Sequence, residues 1–267
     1  QHLMQVFVES VGLRAPGLGG WTSSRPILAG AMSYVPGELV LPPLDLLPAA
    51  ERRRTGLPVK LALSAGLDAL ATGGRPPESL ASVFSSSGAD GQVIHQICES
   101  LAAEDREVSP TRFHNSVHNA PAGYWSIALR ARAPSISLCC FDSSFVAGLL
   151  EACAYCTAEK EPALLVSYDA PYPQPLHAAR PITGSMGVAL LLAPQATPAS
   201  FARLDVHTHP DARVPTRMQD PALEALRMGN PAGRALPLLA ALAAPSASAL
   251  VLEYLRGGTV TVAVSLC

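Results

Sequence analysis

The chain reads as an α/β protein with a largely buried central sheet, and three observations carry that reading. Charge-free apolar runs short enough for strands alternate with segments whose apolar residues recur at helical spacing. Only 15% of the residues are charged and 49% are hydrophobic, against about 25% charged in a typical domain, so much of the chain is destined for burial. At 267 residues it is one large or two small domains on a prior of about 150 residues each, and a mean hydropathy of +0.25 excludes a disordered chain.

The elements follow in order. Val6-Phe-Val-Glu-Ser-Val-Gly-Leu13 is a first strand by its β-branched and aromatic residues and its Gly exit. A Pro- and Gly-rich excursion runs on through Leu47. Val59, Ala62, Leu63, Gly66, Leu67 and Leu70 keep helical spacing, giving an amphipathic helix entered from the Glu51 to Arg54 charge cluster. Ala81 to Ser86 is a short strand, broken by Gly88-Ala-Asp-Gly91, which opens a helix over Gln92 to Leu101. Pro121 starts another helix that passes Trp125 and ends near Arg130. Pro134-Ser-Ile-Ser-Leu-Cys-Cys140 carries no charge, as expected of a strand buried on both faces, and an apolar helix follows from Phe145 to near Ala158. Ala163 to Tyr168 and Gly187 to Leu192 are further strands. Beyond Ala193 the pattern is more broken, with helices near Leu223 to Met228 and Leu236 to Leu242. A closing hairpin joins Leu250–Tyr254 to Thr259–Val264 around Gly257-Gly258.

Composition narrows the function. A net charge of -2 with no basic run longer than Arg52-Arg53-Arg54 lacks the electrostatic footprint of a nucleic-acid binder. Lys60 and Lys160 are the only lysines, and the bias to Arg, Ala and Pro suggests a GC-rich bacterial genome. The uncharged stretches Pro181–Ala202 and Ala235–Leu252 are interrupted by Gly184, Gly187, Pro194, Pro198, Pro237 and Pro245, so neither reads as a transmembrane helix of about 20 residues. Gln1-His2-Leu3 ahead of Met4 reads as a cloning remnant, and no export signal follows. Six cysteines without such a signal point to reduced thiols in the cytoplasm, with Cys153 and Cys156 buried inside an apolar helix instead of forming a redox or metal pair.

One stretch carries more specific information. Ala133-Pro-Ser-Ile-Ser-Leu-Cys-Cys-Phe-Asp142-Ser-Ser-Phe resembles the nucleophile region of β-ketoacyl synthases, where a Gly-Pro-Ser strand leads to a Cys-bearing turn and a buried helix. Phe113-His-Asn-Ser-Val-His-Asn-Ala-Pro-Ala-Gly-Tyr-Trp-Ser126 is similar to the helix before that strand, and Thr183-Gly-Ser-Met-Gly-Val-Ala-Leu-Leu-Leu192 to a later Gly-rich strand. The Phe-His-Asn-Ser-Val-His-Asn run resembles more particularly the short chain length factor or ketosynthase-like subunits of bacterial aryl polyene clusters. The resemblance implies a thiolase-like α/β/α/β/α fold in one domain over 4–267, its first half spanning 4–193 and a truncated second half spanning 194–267.

Laid on that motif, Asp142 falls where the family has its catalytic cysteine. Condensation needs a thiolate to carry the acyl chain, two histidines and backbone donors for the developing oxyanion. An aspartate cannot hold the thioester. Less than half the chain follows position 142, and His177, His207 and His209 stand in none of the family's histidine contexts there. Asp142 also has a structural reading, as a cap whose carboxylate meets the first-turn amides of the next helix. Cys139 and Cys140 are fallback nucleophiles, expected inside the sheet and not at the turn.

Other constellations have plain readings beside their functional ones. His207-Thr-His209 with Asp211 invites a metal, but no further ligand completes a shell. Ser85-Ser-Ser-Gly-Ala-Asp-Gly91 lacks the Lys and spacing of a phosphate loop, and Ser143 and Ser144 lack the Gly-x-Ser-x-Gly elbow of a hydrolase. His114, Asn115, His118 and Asn119, flanked by Phe113, Tyr124 and Trp125, read as a buried polar cluster at a contact surface, or as filling of this chain's own core.

By resemblance, Ile136, Leu138 and Cys140 lie on a strand that pairs with its counterpart in a partner subunit. Phe141 and the Phe113–Trp125 segment then line the contact and the far end of the partner's acyl tunnel. The resemblance thus implies a non-catalytic chain length factor, heterodimeric with an active β-ketoacyl synthase, binding no cofactor itself. The phosphopantetheine arm of an acyl carrier protein would serve the partner. Two rivals stay open: a divergent acyl-carrier decarboxylase or acyltransferase using Asp142, Cys140 or His118, and a homodimeric scaffold.

Overall fold

The computed structural model describes residues 3–255 and 257–267. Gln1 and His2 lie outside the described residues, whereas Leu3, set apart with them on sequence, opens the first strand and pairs with His207. In chain order the elements are β1 (Leu3–Arg14), α1 (Trp21–Leu28), α2 (Ala49–Arg52), α3 (Leu57–Gly73), β2 (Ala81–Ser85), α4 (Gly91–Ala102), α5 (Pro110–Asn115), α6 (Ala120–Leu129) and β3 (Ser135–Leu138). Then come α7 (Ser144–Glu159), β4 (Ala163–Asp169), α8 (Leu176–Ala179), β5 (Met186–Ala193), β6 (Ala202–His209), α9 (Pro221–Gly229), α10 (Leu236–Ala243), β7 (Ser248–Tyr254) and β8 (Gly258–Leu266).

The strands form one sheet in the order β3-β2-β4-β5-β1-β6-β8-β7, with β2, β3 and β4 parallel and the other pairings antiparallel. β1 joins two wings: its C-terminal part pairs with β5 and its N-terminal part with β6. Every residue of β2, β4 and β5 is buried, as strands covered on both faces require, and Asp169 at the end of β4 is the one charged residue among them. Alternate residues serve two cores. Phe84, Leu164, Val166 and Leu191 meet α3 and α6 on one side, while Val83, Leu165 and Leu190 meet Phe145, Leu149 and Cys153 of α7 on the other. α7 also touches β7, so it lies between the two wings, and α10 packs on β7 and β8.

From one side the layers run α3 with α6, the first wing, α7 with α10, and the second wing. On the outer face of the second wing Asp205, His207, Thr261 and Ala263 stay partly exposed, and no described helix covers it. The approach of α3 to β1 is close: a Cβ added at Gly12 would lie 1.9 Å from the Ala65 carbonyl oxygen.

Three elements depart from the sequence reading. β3, expected to be buried on both faces, is an edge strand paired only with β2, and its residues are exposed or half-buried. α1 forms despite Pro26 in its interior. β6 alternates buried Ala202, Leu204 and Val206 with partly exposed Arg203, Asp205 and His207, so the region beyond Ala193 is more regular than its broken composition indicates.

Candidate functional site

The C-terminal ends of the parallel strands β2, β3 and β4 point the same way, the side on which open α/β sheets expose their loops. Here Ser86 and Ser87, then Cys139 to Ser143, then Asp169 come together. Asp169 is fully buried, and its Oδ1 accepts from the Ser87 amide (2.9 Å), the Ser87 hydroxyl (2.7 Å) and the Ser86 hydroxyl (3.2 Å). Among the described residues its Oδ2 has no hydrogen-bond partner. Burial drives its pKa up to about 7, with the serine bonds and the Arg180 charge pulling the other way.

Past β3, the Cys139 thiol donates to the Ser87 carbonyl at 3.1 Å, and the chain turns sharply at Phe141, whose φ is 52°. That left-handed backbone costs a bulky residue on the order of 1–3 kcal/mol, so it persists only where the surroundings fix it. They do so here. The Ser144 hydroxyl accepts from the Cys140 amide (3.0 Å) and donates to the Phe141 carbonyl (2.7 Å). The Ser143 hydroxyl accepts from the Leu255 amide at 2.9 Å. A 3-10 turn over Phe141–Ser143 then feeds α7.

Asp142 is not the helix cap it resembled. The N-cap of α7 is Ser143, and the helix has no side-chain cap. The intervening turn directs the Asp142 carboxylate elsewhere, to an ion pair with Arg180 at 3.0 Å. The same guanidinium stacks on Phe141, its Cζ 3.4 Å from the ring centroid. Cys139 and Cys140 lie past the end of β3 at this turn and not inside the sheet, because the strand stops at Leu138. Burial and then the neighbouring Cys139 thiol push the Cys140 pKa up, which disfavours the thiolate a nucleophile needs. Ser143 and Ser144 are committed to backbone groups, so no hydrolase triad forms among the described residues.

The proposed polar cluster divides. Asn115 is buried, accepts from the Tyr124 hydroxyl at 3.0 Å and donates to the Arg54 carbonyl at 2.8 Å. Tyr124 and Trp125 belong to this chain's own core, with Trp125 edge-on to Phe84 at 6.0 Å. His114 and Asn119 are exposed, so four buried polar side chains do not occur together. His118 is half-buried and its Nε2–H donates to the Ser86 carbonyl at 3.2 Å. Beside them at the surface stand large apolar side chains: Phe113 is 69% and Phe141 59% exposed, with Val117 and Ile127 about half exposed. A groove of about 480 Å³ runs beside Phe113, Val117 and Ile127, and another of about 530 Å³ lies between His118, Gly123 and Ser126 of the α6 side and Ser135 and Ser137 of β3. Ile136 and Leu138 lie half-buried on the edge strand.

The remaining motifs resolve plainly. Among the described residues no group of three or more His, Cys, Asp or Glu could hold a metal; the His207 and His209 rings merely stack, 6.4 Å apart, and His209 bonds Thr261. Asp90 caps α4 through the Gln92 and Val93 amides, filling the helix end a phosphate would need. Cys153 and Cys156 are buried, and desolvation pushes Cys156 to about 12. No described helix is long and apolar enough to cross a membrane. Arg180, Asp169 and Leu255 had no place in the sequence reading, and Ser86 figured only in the strand end and the serine-rich turn; the one available signal was a lone charge closing an apolar stretch, as at Asp169 and Arg180.

Residues 29–248 match the family described as "Beta-ketoacyl synthase, N-terminal domain". The chain is similar in structure to a chain of the ketosynthase (ApeO) in complex with its chain length factor (ApeC) from Xenorhabdus doucetiae, at 22% identity and a TM-score of 0.74 over 97% of this chain and 99% of that one. It is also similar to the ishigamide ketosynthase/chain length factor, at 15% identity and 0.70 over 98% and 99%. A β-ketoacyl synthase from Burkholderia phymatum STM815 gives 11% and 0.65 over 99% and 100%. At these identities the likeness shows the fold, a thiolase-like ketosynthase fold. No curated protein matches the chain.

Proposed function

The chain belongs to the β-ketoacyl synthase family, and from that premise we propose that it is a non-catalytic chain length factor. It pairs with an active β-ketoacyl-ACP synthase, which supplies the cysteine and histidines. The pair extends a carrier-bound chain by decarboxylative condensation with malonyl-ACP, and this subunit helps set product length, in aryl polyene biosynthesis. The carrier protein's phosphopantetheine arm serves the partner, and this chain binds no cofactor of its own. Two of the similar structures are complexes of a ketosynthase with a chain length factor, which supports the pairing.

One observation carries the reading. Laid on the family motif, Asp142 falls at the nucleophile position; its carboxylate is engaged by Arg180, and among the described residues no histidine hydrogen-bonds to Asp142, Ser143 or either neighbouring cysteine. A carboxylate so placed can neither form the acyl thioester nor have its leaving group protonated. The enzyme rival using Asp142, Cys140 or His118 is disfavoured by the Arg180 ion pair that holds the carboxylate, by the raised thiol pKa and by the His118 Nε2–H, which is directed to the Ser86 carbonyl and not to either cysteine. What the chain offers instead is surface. The outer edge of β3 is a row of backbone donors and acceptors open to a partner strand, flanked by exposed Phe113 and Phe141. A standard stable interface buries about 1,600 Å², a natural destination for such an apolar surface.

The test is acylation. The purified chain, given acyl-carrier and malonyl-carrier substrates, is expected to take up no acyl group and release no carbon dioxide, whereas the co-purified pair does both. Acylation and decarboxylation by the chain alone would overturn the reading.

A further inference from the structure

The turn at Phe141 holds more contacts than a loop needs. Its backbone is fixed from three directions, by the Ser144 hydroxyl bridging Cys140 and Phe141, by the Asp142–Arg180 ion pair and by Ser143 joined to Leu255 at the tip of the β7–β8 hairpin. Leu255, like Phe141, combines a positive φ, 50°, with an exposed apolar side chain. Turned inward, a phenylalanine here would be worth more to stability; instead its ring is 59% exposed, with the Arg180 guanidinium against one face. Arg180 is itself mostly buried, its side chain 19% exposed, and it reaches both Asp142 and the field of buried Asp169. A planar cation held by a carboxylate on one side and stacked on a ring on the other fixes the ring's direction, which a flexible lysine ammonium does not.

We propose that Arg180 is a positioning residue that locks the Phe141 ring into a single presented orientation, with Asp142 as its anchor, and that this fixed ring is a determinant of product length. The second half of the proposal rests on the chain length factor reading above. The replaced nucleophile position then has a role: Asp142 holds the arginine that holds the ring.

The experiment has two arms. In the first, 4-fluorophenylalanine is placed at position 141 of the full chain and its ¹⁹F resonance is recorded. One sharp signal is expected, displaced by more than its linewidth and broadened in Arg180→Ala, and partly displaced in Arg180→Lys, which keeps the charge and loses the planar stack. An unchanged resonance in Arg180→Ala overturns the positioning role, whatever the chain's partner. In the second arm the co-purified pair is assayed for product length and native mass. Phe141→Ala and Arg180→Ala are expected to shift the product distribution the same way by at least one malonyl-derived unit, read on the fraction that runs at the 1:1 native mass. The double variant is expected to shift it no further than Phe141→Ala alone. Additive shifts, or an unchanged distribution from an intact pair, overturn the length-setting role. If the wild-type chain forms no pair, the chain length factor reading fails and the length-setting role with it, while the first arm still decides the positioning.

Discussion

Trp125 and Phe113 were expected to serve the same surface, and the structure assigns them opposite fates, which makes their substitution a sharp test of the packing. Trp125 is 2% exposed, edge-on to Phe84, and so close to α3 that a Cβ at Gly66 would lie 2.5 Å from its ring. Trp125→Ala therefore loses a whole buried indole and leaves a void that α3 and β2 cannot refill by side-chain motion alone. Large-to-small changes of this kind cost about 3–5 kcal/mol, and the lost edge-to-face pairing, ~0.5–1.5 kcal/mol, places this one in the upper part of that range. At about 2–4 °C per kcal/mol for a large domain, the midpoint falls by roughly 10 °C or more. Phe113→Ala removes a ring that is 69% exposed and is expected to change stability by no more than about 0.5 kcal/mol, while weakening the complex with the synthase. Urea and thermal unfolding of the isolated chain measure both. A Trp125→Ala chain with the wild-type midpoint, or a Phe113→Ala chain as destabilised as it, would refute the reasoning.

Gly12→Ala drives a methyl into the Ala65 carbonyl at 1.9 Å, and since two backbones meet there the chain is expected to express without a cooperative unfolding transition; a wild-type transition would contradict the close α3–β1 contact. The pKa of Asp169 is raised in the fold, so the folded state binds the extra proton between pH 3.8 and about 7: its contribution is fullest below 3.8 and is lost as pH rises through 7, by roughly 4 kcal/mol at most. Asp169→Asn should flatten that slope in pH-dependent unfolding, and an unchanged slope would show the carboxyl is not the source. Glu224, held down to about 2 by its bond from Arg227, contributes stability that is present above 4.5 and lost as pH falls through 2; Glu224→Gln should weaken this acid limb, and an unaltered limb counts against it. Asp142→Ala breaks a half-exposed ion pair, so it is expected to cost no more than about 1 kcal/mol and to leave the complex condensing, and loss of all condensation would make Asp142 a chemical participant.

The strands and helices that declared themselves in the sequence are those whose environment is uniform. β4 and β5 are buried on both faces and read as apolar runs, broken in β4 only by Ser167 and the closing Asp169, and α3 and α7 stay apolar over four turns. β3 has the same charge-free look, yet it is an edge with exposed or half-buried residues, since Ser, Ile and Leu without a charge suit a half-covered strand as well as an interior one. α1 was hidden by Pro26, and β6 by the Arg, Asp and His on its outward face, where period-two alternation outweighs composition. The motif located the turn at Asp142, but a local reading could only supply the nearest use of a carboxylate before a helix. Its true partner, Arg180, stands 38 residues away and is brought in by the return of the chain after β4. Tyr124 and Trp125 were ambiguous for a physical reason, since rings with a polar tip suit a core and an interface equally.

The central claim is that the chain works as half of a pair, and it is tested most directly by the native mass of the chain co-expressed with a candidate active β-ketoacyl synthase. A 1:1 heterodimer that persists through purification, from a chain prone to aggregate when expressed alone, is the expected result. A stable homodimer or a highly soluble monomer, indifferent to the synthase at micromolar concentration, would contradict the account.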